Sequence, residues 1–433
     1  LAIAPDGQIW VVNQSSNTIS IINPNTFQVS TTVNLPVASQ PYGIVFEPSG
    51  THAYVTLEAM GLLLQLDPVT GGETARVTIG PNPRHLSVTA DGAKILVSRF
   101  ITPKLPGEDT ATVSTVDNSG AFLGGEVIVV SNTPTLQVSK TIVLRHSEAT
   151  DGTSSGRGIP NYLGVPVISP DGLSAWVPSK QDNIKRGMLR DQRHLTFETT
   201  VRAISSKISL DTLIENYPSR IDHDNSGIAS AAVFDDTGSY LFVALEASRE
   251  VAIVDPYNHN ELMRINVGRA PQGLAFVSDT NQDRLYVHNF MDRTVSAYDV
   301  TQLIRSGITQ ISTLATSDAV STEKLSSQVF NGKQLFYDAR DTRLARDHYI
   351  SCASCHHDGG QDGRTWDLTG FGEGLRNTVD LRGRAGMAHG RLHWSGNFDE
   401  VQDFEGQIRA LAGGTGLMTD IQFNTGTRSQ PLG

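Results

Sequence analysis

A recurring phrase limits the fold more than any other feature of this sequence. An apolar strand runs into a turn of the Pro-Asp-Gly type, and a second strand follows that ends near Asn or Ser. The turns stand at Pro5-Asp6-Gly7, Pro48-Ser49-Gly50, Ala90-Asp91-Gly92, Pro170-Asp171-Gly172 and Asp236-Thr237-Gly238, with a looser copy at Ser278-Asp279-Thr280. Gly7, Gly50 and Gly92 fall 43 and 42 residues apart, and Thr237 and Asp279 again 42. A period of this length filled with short strands is the mark of a β-propeller.

The strands of each unit are rich in β-branched and aromatic residues, as half-buried sheet surface requires. Ile9-Trp10-Val11-Val12-Asn13 and Leu285-Tyr286-Val287-His288-Asn289 are two copies of the second strand, and Thr18–Ile22 and Val251–Asp255 two copies of the third. Six units are visible. Two carry insertions, because Gly92 to Gly172 spans 80 residues and Gly172 to Gly238 spans 66. The first, about residues 103–123, is Pro/Gly/Asp/Thr-rich and loop-like. The second, about 181–220, reads as a short helical or hairpin excursion. It holds a basic cluster, Lys185, Arg186, Arg190, Arg193 and Arg202. That cluster is either a solvated loop or a docking face for the next domain or an acidic redox partner.

After Ile311 the pattern changes. A Ser/Thr-rich stretch, 306–324, reads as a linker. Leu325 to Arg340 then has apolar residues at helical spacing, with Val329, Leu335 and Phe336 on or near one face. The chain is therefore expected to be multidomain. An all-β propeller over 1–305 is followed by an α-helical, cytochrome c-like domain over 325–433. Its 433 residues leave room for two or three domains. A net charge of −11 argues against nucleic acid as a partner. No apolar run is long enough to span a bilayer.

The chemistry concentrates in Cys352-Ala353-Ser354-Cys355-His356, which contains the chain's 2 cysteines. Cys-x-x-Cys-His is a c-type haem attachment site. The spacing puts both thiols on one side of a helical turn, where each can add to a vinyl group of one porphyrin. His356 is placed to turn under the ring and ligate the iron. The alternatives are a disulfide or thioredoxin-like pair, or half of a zinc site. Zinc wants four ligands, and no second cysteine pair exists. His357 is not read as a ligand, since its neighbour already binds from below.

Thioether attachment normally takes place outside the cytoplasm, so a periplasmic or otherwise extracytoplasmic protein is expected. No signal peptide is visible. The chain opens at Leu1-Ala2-Ile3 as if inside a strand, and both ends read as mature or cut termini. Asp222 to Gly227 imitates the start of a calcium loop, but Val233 would occupy the acidic twelfth position and cannot ligate.

Two resemblances follow. The repeats, with Tyr54-Val55-Thr56 and Tyr286-Val287-His288-Asn289 as nearest copies, resemble the YVTN β-propeller proteins over about residues 1–300. Those usually close with seven blades, so a seventh is expected upstream or completed from elsewhere in the chain. Gly332-Lys333-Gln334-Leu335-Phe336, the haem motif, Asp362-Gly363-Arg364-Thr365-Trp366, Arg376-Asn377-Thr378 and Leu392-His393-Trp394-Ser395-Gly396 together resemble the N-terminal haem domain of dihaem cytochrome c peroxidases, in the branch fused to such a propeller. This likeness covers about residues 320–420. It implies an electron-relay role for Trp394, a packed core aromatic being the alternative. It implies a calcium ion near Asn377, and a redox partner protein or an oxidant such as peroxide.

The chain also departs from that family. The distal His expected seven residues before Arg376 is Thr369, and the acid–base positions after Trp394 hold Phe404 and Gly414. Glu405 and Gln402 are the nearest candidates for that work. Met387, His389, His393 and Met418 are candidates for the sixth iron position. The family's second haem motif is lacking, so this chain is expected to hold one haem c. Three functions are consistent with these residues: a peroxidase-like oxidoreductase, a non-enzymatic electron carrier, and a binding scaffold with a structural haem.

Overall fold

The computed structural model describes residues 1–383 and 390–424. Six antiparallel sheets follow one another along the chain, five of four strands and one of six. Each four-stranded sheet is a meander and forms one propeller blade. The first blade runs from Ala2–Ile3 to Val29–Asn34, and the sixth from Pro271–Ser278 to Ser312–Asp318.

The turn chemistry matches the repeat. Gly7, Gly50, Gly92, Gly172 and Gly238 all sit at φ between 70° and 85°, where a Cβ is disfavoured. A second repeated device follows the third strand. Asn23, Asp67 and Asp255 each accept the N–H groups two and three residues ahead on one side-chain oxygen, an Asx turn. The third and fourth strands slip register at equivalent places, Ile21/Ile22, Gln65/Leu66 and Ile253/Val254. Such bulges add twist to the outer edge of each blade.

The core lies between blades. Alternating residues of adjacent sheets form apolar clusters that join blade one to two, two to three, three to four, four to five and five to six. Central strands of inner blades, Ala53–Leu57 and Leu241–Leu245, are buried at every residue. The equivalent strand of the sixth blade alternates, and that of the first is buried only at Trp10. Among the described residues no such cluster joins blade six to blade one, and the expected seventh blade is not present. The strands after Asp318, Thr365–Asp367 and Leu375–Asn377, pair with each other and not with a blade.

The propeller runs further than composition suggests. Ser312–Asp318 is the outer strand of blade six, registered from Asp299↔Ser312 to Thr294↔Asp318. The 306–324 stretch is therefore not a simple linker. All of that strand is exposed, so its Ser and Thr content reflects a solvated edge strand.

Both insertions are built into the structure. In the first, Leu105 and Val113 join a small core with Ile159 and Ile184. The second is mainly a hairpin of two nine-residue strands, Ser174–Asp182 and Val201–Ser209, preceded at its return by one helical turn, Phe197–Thr200. One end of this hairpin pairs with Val167–Ile168 and Ile214–Glu215 as an ordinary blade. The other end overshoots the ring and pairs with Ile159–Asn161 and Ile221–His223. Asp222 and Asp224, the imitation calcium loop, serve instead as partners of Arg202.

The helical part is small. Beyond the propeller the described α-helices are Ser327–Phe336, Ala353–His356, Glu405–Ala410 and Asp420–Asn424. The first is shorter than the expected Leu325–Arg340 and buries none of its residues. Most of the segment's burial instead comes from Tyr337 to Asp367, which lie against the overshooting hairpin and neighbouring blades.

Candidate functional site

The cysteine motif forms a single helical turn, closed by the His356 N–H donating to the Cys352 carbonyl at 3.0 Å. Both thiols are free. They are three residues apart on that turn, the offset at which side chains share a helix face. The His356 ring is held from behind, with Nδ1 3.2 Å from the Gly360 carbonyl oxygen. A carbonyl only accepts, so Nδ1 carries the proton in this contact; the Val379 backbone is a second hydrogen-bond neighbour of the ring. Burial also lowers the His356 pKa, which keeps the ring neutral. A neutral imidazole fixed through its second nitrogen is what an axial ligand requires. Two unbridged thiols on the same turn complete a donor set that fits a c-type haem.

Elements far away in sequence position this turn. Lys180, fully buried, lies 3.0 Å from Asp182 and 3.3 Å from Asp362, and donates to the Ser354 carbonyl at 2.5 Å. Asn161 ties the same group together, donating to both the Asp182 side chain and the Asp362 carbonyl at 2.8 Å. Trp366 donates its indole N–H to Asp362 at 3.1 Å. The Tyr162 hydroxyl reaches the Cys355 carbonyl at 2.8 Å. Cys355 packs against Leu195, Val201 and Trp366, and burial pushes its thiol pKa well above the ordinary value.

A second buried pair stands beside the first. Arg364 meets Glu108 at 3.0 Å, both side chains being inaccessible, and the other Glu108 oxygen accepts the Thr365 N–H at 2.9 Å. The insertion adds a clasp. The N–H groups of Leu189 and Arg190 donate to Asp367 at 2.7 and 3.0 Å, and Arg190 donates to the Thr365 carbonyl at 3.0 Å. Arg190 therefore acts at the join between the propeller and the C-terminal segment, and the buried Arg202 lies over the Tyr349 ring of that segment at 5.4 Å. Lys185 and Arg186 pair within the propeller, with Glu148 and Asp151, and Arg193 is exposed.

His357 faces the propeller axis. Its Nε2 is 3.3 Å from Glu246 and its Nδ1 3.2 Å from Asp358. Burial alone would lower its pKa, but these two carboxylates outweigh it and raise the value to about 9. Phe100, Tyr162 and Tyr337 meet the ring edge-on. Asp358 in turn takes Arg84 at 3.1 Å, whose other partner is Glu58 at 2.8 Å.

The remaining predicted residues lie after the small hairpin. Trp394 is 63% exposed, so it is not a packed core aromatic; its indole N–H donates to the Asn377 carbonyl at 2.7 Å. The Asn377 side-chain oxygen accepts from the Thr365 hydroxyl at 2.7 Å. His393 stacks on Phe398 at 3.8 Å, with Nδ1 3.2 Å from Asn397 and Nε2 3.4 Å from Gln407. The Glu405 oxygens accept from Arg409 and from the N–H groups of Leu417 and Met418. Gln402 lies in the turn Val401–Phe404, and Met418 is half-buried. Met387 and His389 lie outside the described residues.

Nothing in the sequence singles out Lys180, Tyr162 or Glu246. Asp362 and Trp366 carried a weak signal, because they belong to a phrase beside the motif. The others sit on blade strands or blade loops, where nothing local reports on a segment docked from elsewhere.

Residues 326–411 match the family model of di-haem cytochrome c peroxidase. This family binds c-type haem. No curated protein matches the chain. Two solved structures are loosely similar. One is hydrazine synthase from Kuenenia stuttgartiensis, at 13% identity and a TM-score of 0.41, covering 68% of this chain and 93% of that one. The other is a functionally unknown protein from Desulfotomaculum acetoxidans DSM 771, at 15% identity and a TM-score of 0.45, covering 71% and 78%.

Proposed function

We propose that this chain is an extracytoplasmic c-type haem redox protein carrying one haem, with the propeller as seat and docking scaffold. Cys352 and Cys355 would hold the haem through thioethers, and His356 would be its iron ligand. The observation that carries this reading is the His356 ring, turned by the Gly360 carbonyl beside two free thiols on one turn. The family match over residues 326–411 supports it. When bound, the haem supplies one-electron chemistry at iron.

The chain's own residues have separable roles. Gly360 holds the ring orientation. Lys180 compensates the Asp182 and Asp362 carboxylates behind Cys355. Trp394, exposed beside the small hairpin, offers an aromatic route for electrons to a partner protein. Calcium at Asn377 would have to compete with the Thr365 hydroxyl for the side-chain oxygen; titration of calcium into chelator-treated protein, followed by Trp fluorescence, tests it.

Peroxide turnover is the second reading, favoured by the same family match. It needs a residue that moves a proton between the two peroxide oxygens. Glu405 can do so only by giving up a bond to Leu417, Met418 or Arg409. Simple electron transfer is therefore the better supported of the two. Mixing ferric protein with hydrogen peroxide and an electron donor separates them. The electron-transfer reading expects reversible reduction and no peroxide-dependent donor oxidation. Rapid donor oxidation that falls in Glu405→Gln would replace it with the peroxidase reading.

A further inference from the structure

The propeller axis holds a cavity of about 150 Å³ next to His357, a residue to which the redox reading gives no role. Its wall is drawn from several blades, including Tyr42, His85, Gln272 and His288, with Glu246 and His357 at one end. A cavity of this size accepts a benzene-sized molecule. Its lining, however, includes buried polar groups short of partners. Glu246 is 1% exposed, and apart from the approach of His357 neither of its carboxylate oxygens has a hydrogen-bond partner. The Gln272 amide nitrogen is also buried without one. A buried carboxylate left in that condition costs several kcal/mol, so native proteins rarely leave one unfilled.

The charges around it decide the sign of what can enter. Arg84 is shared between Glu58 and Asp358, and His357 between Asp358 and Glu246. Three carboxylates thus meet two cations at contact distance, and at least one negative charge stays uncompensated among these groups whichever protonation state His357 holds. His85 adds no charge, because burial and then Arg84 depress its pKa to about 3. Tyr42, Phe100 and Tyr162 line the same space, with Arg84 over the first two rings and Lys180 over the third. His288, exposed on blade six, stands at its mouth.

We infer that this axial cavity is a binding site for a small monocationic hydrogen-bond donor, a protonated amine of a few heavy atoms, with Glu246 as its counter-ion. The amine donates to the Glu246 carboxylate, whose buried charge favours a cation over an anion. Bulk is limited by the volume, so a long-chain or tetrabutyl-substituted amine is excluded.

Calorimetric titration of the whole chain with methylammonium chloride tests this. Saturable binding at one site per chain is expected, with tetrabutylammonium and sodium acetate giving none. Glu246→Gln should weaken methylammonium binding at least about tenfold, which is about 1.4 kcal/mol. If that variant does not fold, Gln272→Ala and His288→Ala, at the wall and the mouth, should each weaken binding several-fold. Asp117→Asn, a distant exposed carboxylate, should leave it unchanged. No saturable binding to wild type, equal binding of acetate, or retention of affinity in the Glu246 variant or in both wall variants would overturn the inference.

Discussion

The joins between blades and the join between propeller and haem segment are built from opposite materials. Blade meets blade through side chains such as Trp10, Leu64, Val243 and Leu285, all apolar and fully or nearly fully buried. The haem segment meets the blades through Lys180, Asp182, Glu108, Arg364 and Asp362, which are equally buried but charged or polar. Apolar packing is non-directional and tolerates small shifts. A buried ion pair tolerates neither displacement nor the loss of one member. The first kind of join suits a repeated scaffold, and the second fixes one turn of helix in one orientation.

This contrast can be broken most strongly at Lys180. Lys180→Met leaves Asp182 and Asp362 buried without their cation. We expect a loss of about 3–5 kcal/mol in urea unfolding, with the 340–380 stretch becoming the first site of proteolysis. A loss below 1 kcal/mol would mean that the charges contribute little to docking. Leu64→Ala should cost about 3 kcal/mol by cavity formation. It should leave proteolysis of the haem segment unchanged under native conditions, because the damage stays at the join of blades one and two.

Asp367 sharpens the comparison with pH. Burial alone would raise its pKa, but the Thr369 side chain and the N–H groups of Thr369, Leu189 and Arg190 outweigh burial and lower it. Its stabilising contribution is therefore present above the ordinary carboxylate value and lost as pH falls through the lowered one. We expect the 188–190 clasp to exchange its amide hydrogens faster in acid, below about pH 4. Asp367→Asn should cost about 2 kcal/mol and remove that pH dependence. An unchanged acid profile in the variant would mean the clasp does not depend on this carboxylate. The smallest effect on stability belongs to Trp394, whose replacement by Phe should change unfolding free energy by no more than about 0.5 kcal/mol. Electron transfer to an external acceptor should nevertheless slow, and an unchanged rate would remove Trp394 from the route.

The same contrast decides what the sequence discloses. Trp10 and Leu285 announce themselves, because strand alternation and a period near 42 residues are enough to assign them to a buried face. Cys352, Cys355 and His356 are legible because the chemistry of one porphyrin sets their spacing locally. Lys180 and Asp182 are not. In sequence they begin a polar insertion, Ser179-Lys180-Gln181-Asp182-Asn183, and every one of those residues is buried. Their burial is imposed by Ser354 and Asp362, more than a hundred and seventy residues away, and no periodicity carries that information. The strand Ser312–Asp318 fails for the opposite reason. As an exposed outer edge it needs no apolar residues, so its composition resembles a tether.

Intact-mass spectrometry under denaturing conditions, on protein produced with a c-type haem maturation system, tests the central claim most directly. The account predicts that the wild-type chain carries the mass of one haem that solvent extraction does not remove, and that Cys352→Ala with Cys355→Ala carries none. A wild-type chain at its bare polypeptide mass, from cells that load a control cytochrome c fully, would contradict it.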